Sequence, residues 1–504
     1  MAKDTTRDMT QGSPMKLILG FSVPLLFGFL FQQFYSVVDT IIVGRFLGVH
    51  ALAGVGSTGS LNFLIIGFCM GVCNGFSIPL AHKFGAKDYS GMRQFMANSM
   101  WLSIIFSVVM TIITTVFCGQ MLTAMKTPED IYQFAYQYIF IIFLGIPATY
   151  LYNMLSGIIR AMGDSKTPLA FLTLSSFLNI ALDLICIINL NMGVAGAAVA
   201  TVVSQAVSGV LCLIYMIKKF PLLRVEKGEW KMHLPYMGTL CGMGVPMGLQ
   251  YSITAIGSVI LQAAVNTLGA SAVASVTAAG KVGMFFCCPY DAMGSTMATY
   301  GGQNVGAKKP ERLGQGIKAC MIIAVIYSAI AFVVLYLSGA ELSSLFMDGA
   351  DETLLANARL LLVINSIFFI PLAIVNIVRF LIQGMGFGTF AILAGVCEMV
   401  ARSLAGMFLV PRFGFIGVCF ASPLAWIFAD AFLIPAYLHV RKKLDKIYAA
   451  LRLKRFKLLK EDANRISVIW FPSKRNSSSA GYWVRKSRFS FKDTSSYHMS
   501  IIPL

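Results

Sequence analysis

Gly85-Ala86-Lys87 recurs as Gly306-Ala307-Lys308, and both copies end a long apolar run and begin a basic loop. The offset of 221 residues also places Leu47-Gly48 on Leu268-Gly269. Shared anchors at one fixed offset indicate a unit that occurs twice in the chain. A tandem repeat of apolar segments is typical of secondary transporters, which bind their cargo between the two halves.

The composition is that of a membrane protein. Of 504 residues, 57% are hydrophobic and 12% are charged, whereas soluble proteins contain about 25% charged residues. A helix needs about 20 apolar residues to cross the bilayer. The sequence therefore predicts an all-α polytopic membrane protein of twelve transmembrane helices in two pseudo-symmetric six-helix bundles. The predicted spans are 17–43, 51–81, 95–118, 132–159, 168–188, 195–217, 236–267, 272–302, 316–338, 354–382, 390–410 and 416–440.

These spans divide the chain into five parts. A cytoplasmic lead, 1–16, precedes an amino-terminal lobe, 17–217, and a cytoplasmic linker, 218–235, joins it to a carboxy-terminal lobe, 236–440. The remaining residues, 441–504, contain 16 Lys or Arg and four acids, together with many serines. Such a composition favours a disordered, basic cytoplasmic tail.

The distribution of basic residues predicts the orientation. The lead and the even-numbered connections contain 18 Lys or Arg, including Arg379, and the odd-numbered connections contain three. Basic residues accumulate on the cytoplasmic side. We therefore expect a multi-pass protein of the inner (plasma) membrane with both termini in the cytoplasm.

Several classes of function are not supported by the sequence. There is no G-x-x-x-x-G-K-[ST] phosphate-binding string, and the eleven cysteines form no C-x-x-C pair. Most of the net charge of +18 lies in the tail and not on a nucleic-acid-binding fold. We expect a protein that is not an enzyme, has no cofactor, and binds neither nucleotide nor nucleic acid.

Ionisable residues inside predicted membrane helices are candidates for function because they are costly there. Asp39 lies in the first helix, and Asp183 lies in the fifth, one helical turn after Asn179. Both acids belong to the first half, and the repeat places residues that cannot ionise at the matching positions of the second half. This asymmetry suggests a coupling site. The alternative is that Asp39 is satisfied by Gln32, Gln33 or a helix end.

The second half contains other buried charges. Glu398 and Arg402 are four residues apart, which favours an internal ion pair or, alternatively, an acid that faces substrate. Asp291 follows Pro289, so it is expected at a kink with a polar lining, and Lys281 could neutralise either acid. The candidate substrate-cavity residues are Gln33, Tyr35, Asp291 and Glu398.

Several phrases together resemble the multidrug and toxin extrusion (MATE) family, in particular its bacterial DinF-like branch. The resemblance covers about residues 15–442. Its phrases are VPLLFGFLFQQFYSVVDTIIVGRFLGVHALAGVG from Val23, HKFGAKD from His82, GIIRAMGDSKTP from Gly157, GVAGAAVAT from Gly193, AVNTLGASAVASVTAAGK from Ala264 and GGQNVGAKKPER from Gly301.

The resemblance implies two six-helix bundles around a central cavity and export of organic cations or other amphiphiles in exchange for protons or sodium ions. It also implies that Asp39, Asn179, Asp183 and Thr201 take the coupling ion, H⁺ or Na⁺. All four offer oxygen ligands, which suit a hard cation. The acids that the NorM-like branch has in its seventh and tenth helices are missing here.

The leading interpretation is therefore an ion-coupled multidrug antiporter that works by alternating access. Its partners would be small organic substrates and the lipid bilayer, and it would function as a monomer. One alternative is a flippase for lipids or lipid-linked saccharides, which would favour a markedly cationic cavity. Another is a non-transporting membrane receptor or scaffold.

The predicted topology can be tested by cysteine labelling with a membrane-impermeant maleimide. In a cysteine-free variant, single cysteines in the 218–233 loop should react only from the cytoplasmic side, because the basic residues lie there. Cysteines near 345–352, where the chain is acidic, should react only from outside. Labelling of both regions from one side would contradict the twelve-span arrangement.

Overall fold

The computed structural model describes residues 6–346 and 352–467, and in these ranges the regular structure is helical, with no β-strand. The amino-terminal lobe contains nine α-helices: α1 Pro14–Leu47, α2 Val49–Ser57, α3 Gly59–Gly85, α4 Tyr89–Val116, α5 Cys118–Ala124, α6 Glu129–Leu144, α7 Ile146–Ala161, α8 Lys166–Leu184 and α9 Val194–Lys219. The carboxy-terminal lobe contains α10 Leu234–Asn266, α11 Ala270–Gly306, α12 Glu311–Ser344, α13 Glu352–Ile367, α14 Phe369–Gly384, α15 Thr389–Leu404, α16 Val410–Phe413 and α17 Phe415–Ser467.

The predicted twelve spans are present in the described residues. Ten helices are long and apolar enough to cross a membrane, and two bent helix pairs complete the twelve if each pair is one span. The pairs are α6 with α7, bent by 48°, and α13 with α14, bent by 54°. Pro147 lies at the start of α7 and Pro371 at the start of α14, where proline is tolerated because the first helical N–H groups have no partner.

The backbone confirms the internal repeat. Gly48 and Gly269 both have a positive φ, 85° and 92°, and each separates two helices. Glycine takes this conformation without the strain that a Cβ atom would add. A π-helical turn follows α8 at Ile185–Asn189, and another follows α15 at Ala405–Leu409. The two lobes therefore share their irregularities as well as their helices.

The tail differs from the expectation. The chain divides into two compact units, 1–438 and 439–504, and α17 continues through the first part of the second unit to Ser467. The prediction of disorder from residue 441 was therefore wrong up to Ser467. Apolar residues at 440, 444, 447 and 451 repeat with the period of a helix. The predicted disorder of 468–504 lies outside the described residues.

The two lobes meet closely where the repeated Gly-Ala-Lys loops begin. A Cβ atom on Gly85 would lie 2.0 Å from the backbone oxygen of Gln303, and one on Gly306 would lie 1.9 Å from that of His82. Both distances are far below van der Waals contact. Only glycine permits this approach, and each copy of the repeat contributes one glycine to the contact. We call His82, Gly85, Gln303 and Gly306 the closing seam.

Hydrogen bonds across the closing seam follow the same pseudo-symmetry. The His82 ring nitrogen Nε2 lies 2.7 Å from the carbonyl oxygen of Gly384, and Gln303 Nε2 donates to the carbonyl oxygen of Ala161 at 2.9 Å. Gly384 and Ala161 are the last residues of α14 and α7, where backbone carbonyls have no partner within their own helix. Each lobe therefore caps a helix end of the other.

The segment before α1 is hydrogen-bonded to both lobes, which the sequence pattern did not predict. In this N-terminal strap, residues 6–13, the Arg7 N–H donates to the carbonyl oxygen of Met162 at 3.2 Å. The Met9 N–H donates to Gln303 Oε1 at 2.8 Å, and Lys309 Nζ donates to the carbonyl oxygen of Thr10 at 2.8 Å. The strap thus lies across the closing seam and bonds to residues on either side of it.

The linker between the lobes is held by an ion pair. Arg93 Nε and Nη2 donate to the two carboxylate oxygens of Glu229 at 2.7 and 2.8 Å, and Ser90 Oγ donates to the same carboxylate at 2.8 Å. The hydrogen bonds from Arg93 lower the pKa of Glu229 from about 4.5 to about 2. This arrangement anchors the linker to the start of α4.

Alanine at the closing seam should favour opening of this end. Because a Cβ on Gly85 or Gly306 meets backbone that cannot move locally, Gly85→Ala and Gly306→Ala should each lengthen the distance between spin labels at Lys87 and Lys308. Gly314→Ala on α12 is the control, since a Cβ there has no atom within 4 Å. An unchanged distance distribution in both seam variants would show that the close approach does not hold this end shut.

The Glu229 ion pair predicts a pH-dependent loss of stability. A carboxylate with a lowered pKa stabilises the folded chain above its ordinary pKa, and this stabilisation is lost as the pH falls from about 4.5 toward about 2. Glu229→Gln should therefore lower the melting temperature at pH 7, and the difference from the wild type should shrink at pH 3. A difference that does not change between these pH values would contradict the ion-pair explanation.

Candidate functional site

The structure brings together the four residues for which an ion site was expected in the amino-terminal lobe. Asp39 is on α1, Asn179 and Asp183 are on α8, and Thr201 is on α9, and α8 packs against both neighbouring helices. Asn179 Nδ2 donates to Thr201 Oγ1 at 3.3 Å. The carboxyl groups of Asp39 and Asp183 lie close enough to interact electrostatically with each other.

The oxygen atoms of this cluster have few partners. Asp39 Oδ1, Asn179 Oδ1 and both carboxyl oxygens of Asp183 are buried and accept no hydrogen bond from the described residues. Asp183 is 0% exposed. Buried acceptors without donors are costly, and two adjacent carboxylates repel each other. A proton or a cation between these oxygens would remove both penalties.

Two tyrosines surround the acid pair. Tyr35, one turn before Asp39 on α1, and Tyr138, a buried residue on α6, both lie close to Asp39 and Asp183. Tyr35 was predicted to line the substrate cavity, whereas Tyr138 had no signal that distinguished it from other aromatic residues of an apolar helix. Gln33 is half-buried, and its side chain takes part in none of the side-chain hydrogen bonds found in the described region.

In the carboxy-terminal lobe, Glu398 lies between two arginines. Arg379 Nη1 donates to Oε1 at 2.6 Å, and Arg402 Nη2 donates to Oε2 at 3.4 Å. The expected pair with Arg402 is confirmed, but Arg379 is the nearer partner. Counting Arg379 among the loop residues was wrong, because it lies inside α14 and is only 8% exposed. Its charge is neutralised within the helix bundle.

Asp430 on α17 completes this carboxy-terminal cluster. It is buried close to Glu398 and Arg379, and its Oδ1 has no hydrogen-bond partner in the described part of the chain. The sequence shows Asp430 as an acid within an apolar run. It does not indicate that Glu398 and Arg379 are its neighbours. The cluster holds two basic and two acidic groups, so its formal charges balance.

Asp291 lies on α11, within the carboxy-terminal lobe. It is exposed by surface area, although Tyr251 and Arg379 are close to it, so it faces a space within the protein. Lys281 forms no ion pair with Asp291 or Glu398 among the described residues. Of the four predicted cavity residues, Gln33 and Tyr35 lie on α1, Asp291 on α11 and Glu398 on α15.

A small cavity of about 30 Å³ lies between the lobes near the closing seam. Polar side chains on both sides contribute to it, together with apolar residues from α3, α10, α11 and α14. The lining comprises Asn74, Ser77, Ile78, Ala81, Arg160, Ala161, Met247, Ser295, Ala298, Thr299 and Phe380. Helices of both lobes therefore form its wall. No group of three His, Cys, Asp or Glu side chains suited to a metal ion occurs in the described ranges.

The MatE family model matches residues 24–185 and 246–408, one stretch in each lobe. The chain belongs to the MatE family. The resemblance inferred from the sequence is therefore confirmed, and the chain is a multi-pass membrane transporter and not an enzyme. The two matched stretches begin at repeat-related prolines, Pro24 and Pro246.

Individual relatives agree with this MATE assignment. The chain is 29% identical to the probable multidrug resistance protein YoeA of Bacillus subtilis over 350 residues, 68% of this chain and 75% of that protein. It is 22% identical to a FAD transporter of Shewanella oneidensis, over 77% of this chain and 86% of the relative. A solved outward-facing multidrug resistance MATE transporter shares the fold, with a TM-score of 0.81, 23% identity, and coverage of 88% of this chain and 100% of the other.

Proposed function

We propose that the chain is an ion-coupled antiporter that exports amphiphilic or cationic organic compounds by alternating access. The observation that supports this most strongly is the pair Asp39 and Asp183, in which Asp39 Oδ1 and both carboxyl oxygens of Asp183 are buried and accept no hydrogen bond from the described residues. A scaffold has no use for two adjacent unpaired acids. A transporter that exchanges cargo for a cation needs such a site.

The coupling ion of the proposal is H⁺ or Na⁺. Asp39, Asn179, Asp183 and Thr201 present oxygen atoms, which suit sodium. The same two carboxyl groups can instead share one proton, because one charge is then removed from the pair. In either case the loaded site is closer to neutral than the empty one, so loading favours arrangements that bury it.

The ion site is connected to the closing seam through α1. This helix begins at Pro14, directly after the N-terminal strap, and Pro24 lies within it before Asp39. Proline removes a backbone hydrogen bond and weakens the helix against bending at that point. In the proposed cycle, ion binding at Asp39 favours one bent conformation of α1. Because the N-terminal strap joins α1 to the closing seam, this shifts the populations of the open and closed seam.

We place the seam on the cytoplasmic side and the protein in the plasma membrane. The repeated basic loops begin at the seam, and the positive-inside rule places such loops in the cytoplasm. Cargo would then enter from the cytoplasm while the seam is open and leave outward while it is closed. The proposal requires no nucleotide and no second copy of the chain.

The flippase alternative has less support. A cavity for lipid-linked saccharides would favour several unpaired basic residues, and the lining of the interlobe cavity contains one, Arg160. The names of the relatives cover both multidrug export and transport of FAD. Within this family the cargo therefore includes anionic as well as other molecules.

Neutral substitutions at the acid pair test the proposal. Asp39→Asn and Asp183→Asn keep the shape of each side chain but remove its charge, so each should reduce gradient-driven dye efflux from proteoliposomes to background, under imposed proton and sodium gradients tested separately. Asp130→Asn, at an exposed position on α6, is the matched control and should export normally. Full export by both site variants under both gradients would falsify the assignment of the coupling site.

A further inference from the structure

Arg160 faces the interlobe cavity from the last turn of α7. Its Nη2 donates to Asn74 Oδ1 at 2.8 Å, and its Nη1 donates to Ser156 Oγ at 3.0 Å. Both partners are neutral. They fix the direction of the guanidinium group but do not compensate its charge.

Within the described residues, no ion pair balances the charge of Arg160. No carboxylate of the described residues lies within 4 Å of it, whereas Arg379 and Arg402 share Glu398. The titratable groups that interact with its charge are tyrosines and cysteines, among them Tyr152, Tyr251 and Cys73. A cation inside a membrane protein that lacks a counter-ion in the protein points to a charge brought by something else.

The guanidinium group retains the capacity to bind an anion. It has five N–H donors in a planar fork that matches the two oxygens of a carboxylate or a phosphate, and one hydrogen bond to each of two neutral partners leaves donors unused. The cavity lies directly beside it. An anionic group placed there would form charge-assisted bonds, which are the stronger kind.

An acid lies one helical turn beyond the lining of the cavity. Asp291 is one helical turn before the cavity-lining residue Ser295 on α11, and Tyr251 is one turn after Met247 on α10. Tyr251 lies close to both Asp291 and Arg160. Arg160 therefore lies near the closing seam, and Asp291 lies one helical turn farther from the seam.

We propose that Arg160 binds an acidic group of the cargo, a carboxylate or a phosphate carried by an amphiphilic molecule. Asp291 is then placed to receive a basic or hydroxyl group of the same molecule. This inference rests on the proposed export and narrows its substrate class. Because Arg160 is next to Ala161, which the closing seam caps, the acidic group binds at the end where cargo enters in the proposed cycle.

Two dyes with one ring scaffold and opposite charge test this assignment. Fluorescein carries a carboxylate, and rhodamine 123 is a cation. Binding of each is measured by fluorescence polarisation to the full-length chain in nanodiscs without any ion gradient. Arg160→Gln should weaken fluorescein binding about tenfold or more, the effect of losing a charge-assisted bond, and leave rhodamine 123 unchanged or tighter. Arg160→Lys keeps the charge and should retain most of the fluorescein affinity.

Arg359→Gln is the matched control, because Arg359 is exposed and donates to the carbonyl oxygen of Tyr336. If Arg160→Gln does not insert, Asn74→Ala is the second variant, since it removes the bond that orients the guanidinium and should weaken fluorescein selectively. Unchanged fluorescein binding, equal weakening of both dyes, or a wild type that does not bind fluorescein would each overturn the proposal. These outcomes are independent of export, which the Asp39→Asn experiment tests.

Discussion

The close approach of α3 and α11 at Gly85 and Gly306 is the constraint on which the rest of the structure depends. Backbone atoms of the two lobes occupy the space that a single methyl group would need. This contact brings His82 and Gln303 within reach of helix ends in the opposite lobe. The interlobe cavity, which Arg160 lines, lies beside this contact.

The two lobes share a backbone but divide the charges unequally. In the amino-terminal lobe, Asp39 and Asp183 lie close together, and neither forms an ion pair with a basic residue of the described ranges. In the carboxy-terminal lobe, Glu398 lies between Arg379 and Arg402. The first arrangement changes its electrostatic energy when a cation arrives. The second is already balanced, so it is better suited to hold helices together than to bind and release an ion.

The sequence predicted those features that depend on local pattern. The lengths of the apolar segments predicted the twelve spans, and the 221-residue offset predicted the two lobes. The spacing of Asn179 and Asp183 predicted one side of the ion site. It did not predict contacts between distant segments, such as the strap across Gln303 or the pairing of Arg379 with Glu398. These depend on how helices pack, and neither residue type nor spacing specifies that. The helical start of the tail was visible as an apolar period but was outweighed by its basic composition.

The closing seam is isologous: Gly85 contacts Gln303 in the same way that Gly306 contacts His82. A half-length chain could therefore form this interface with a second copy of itself, as two-fold symmetric dimers do. Such a dimer would carry every charge twice, including a pair of acids in each subunit. When the two copies are joined into one chain, the charges need not occur twice, because each half can then change its sequence independently. A fused dimer can therefore have one acid pair in one half and a balanced cluster in the other. A symmetric dimer cannot.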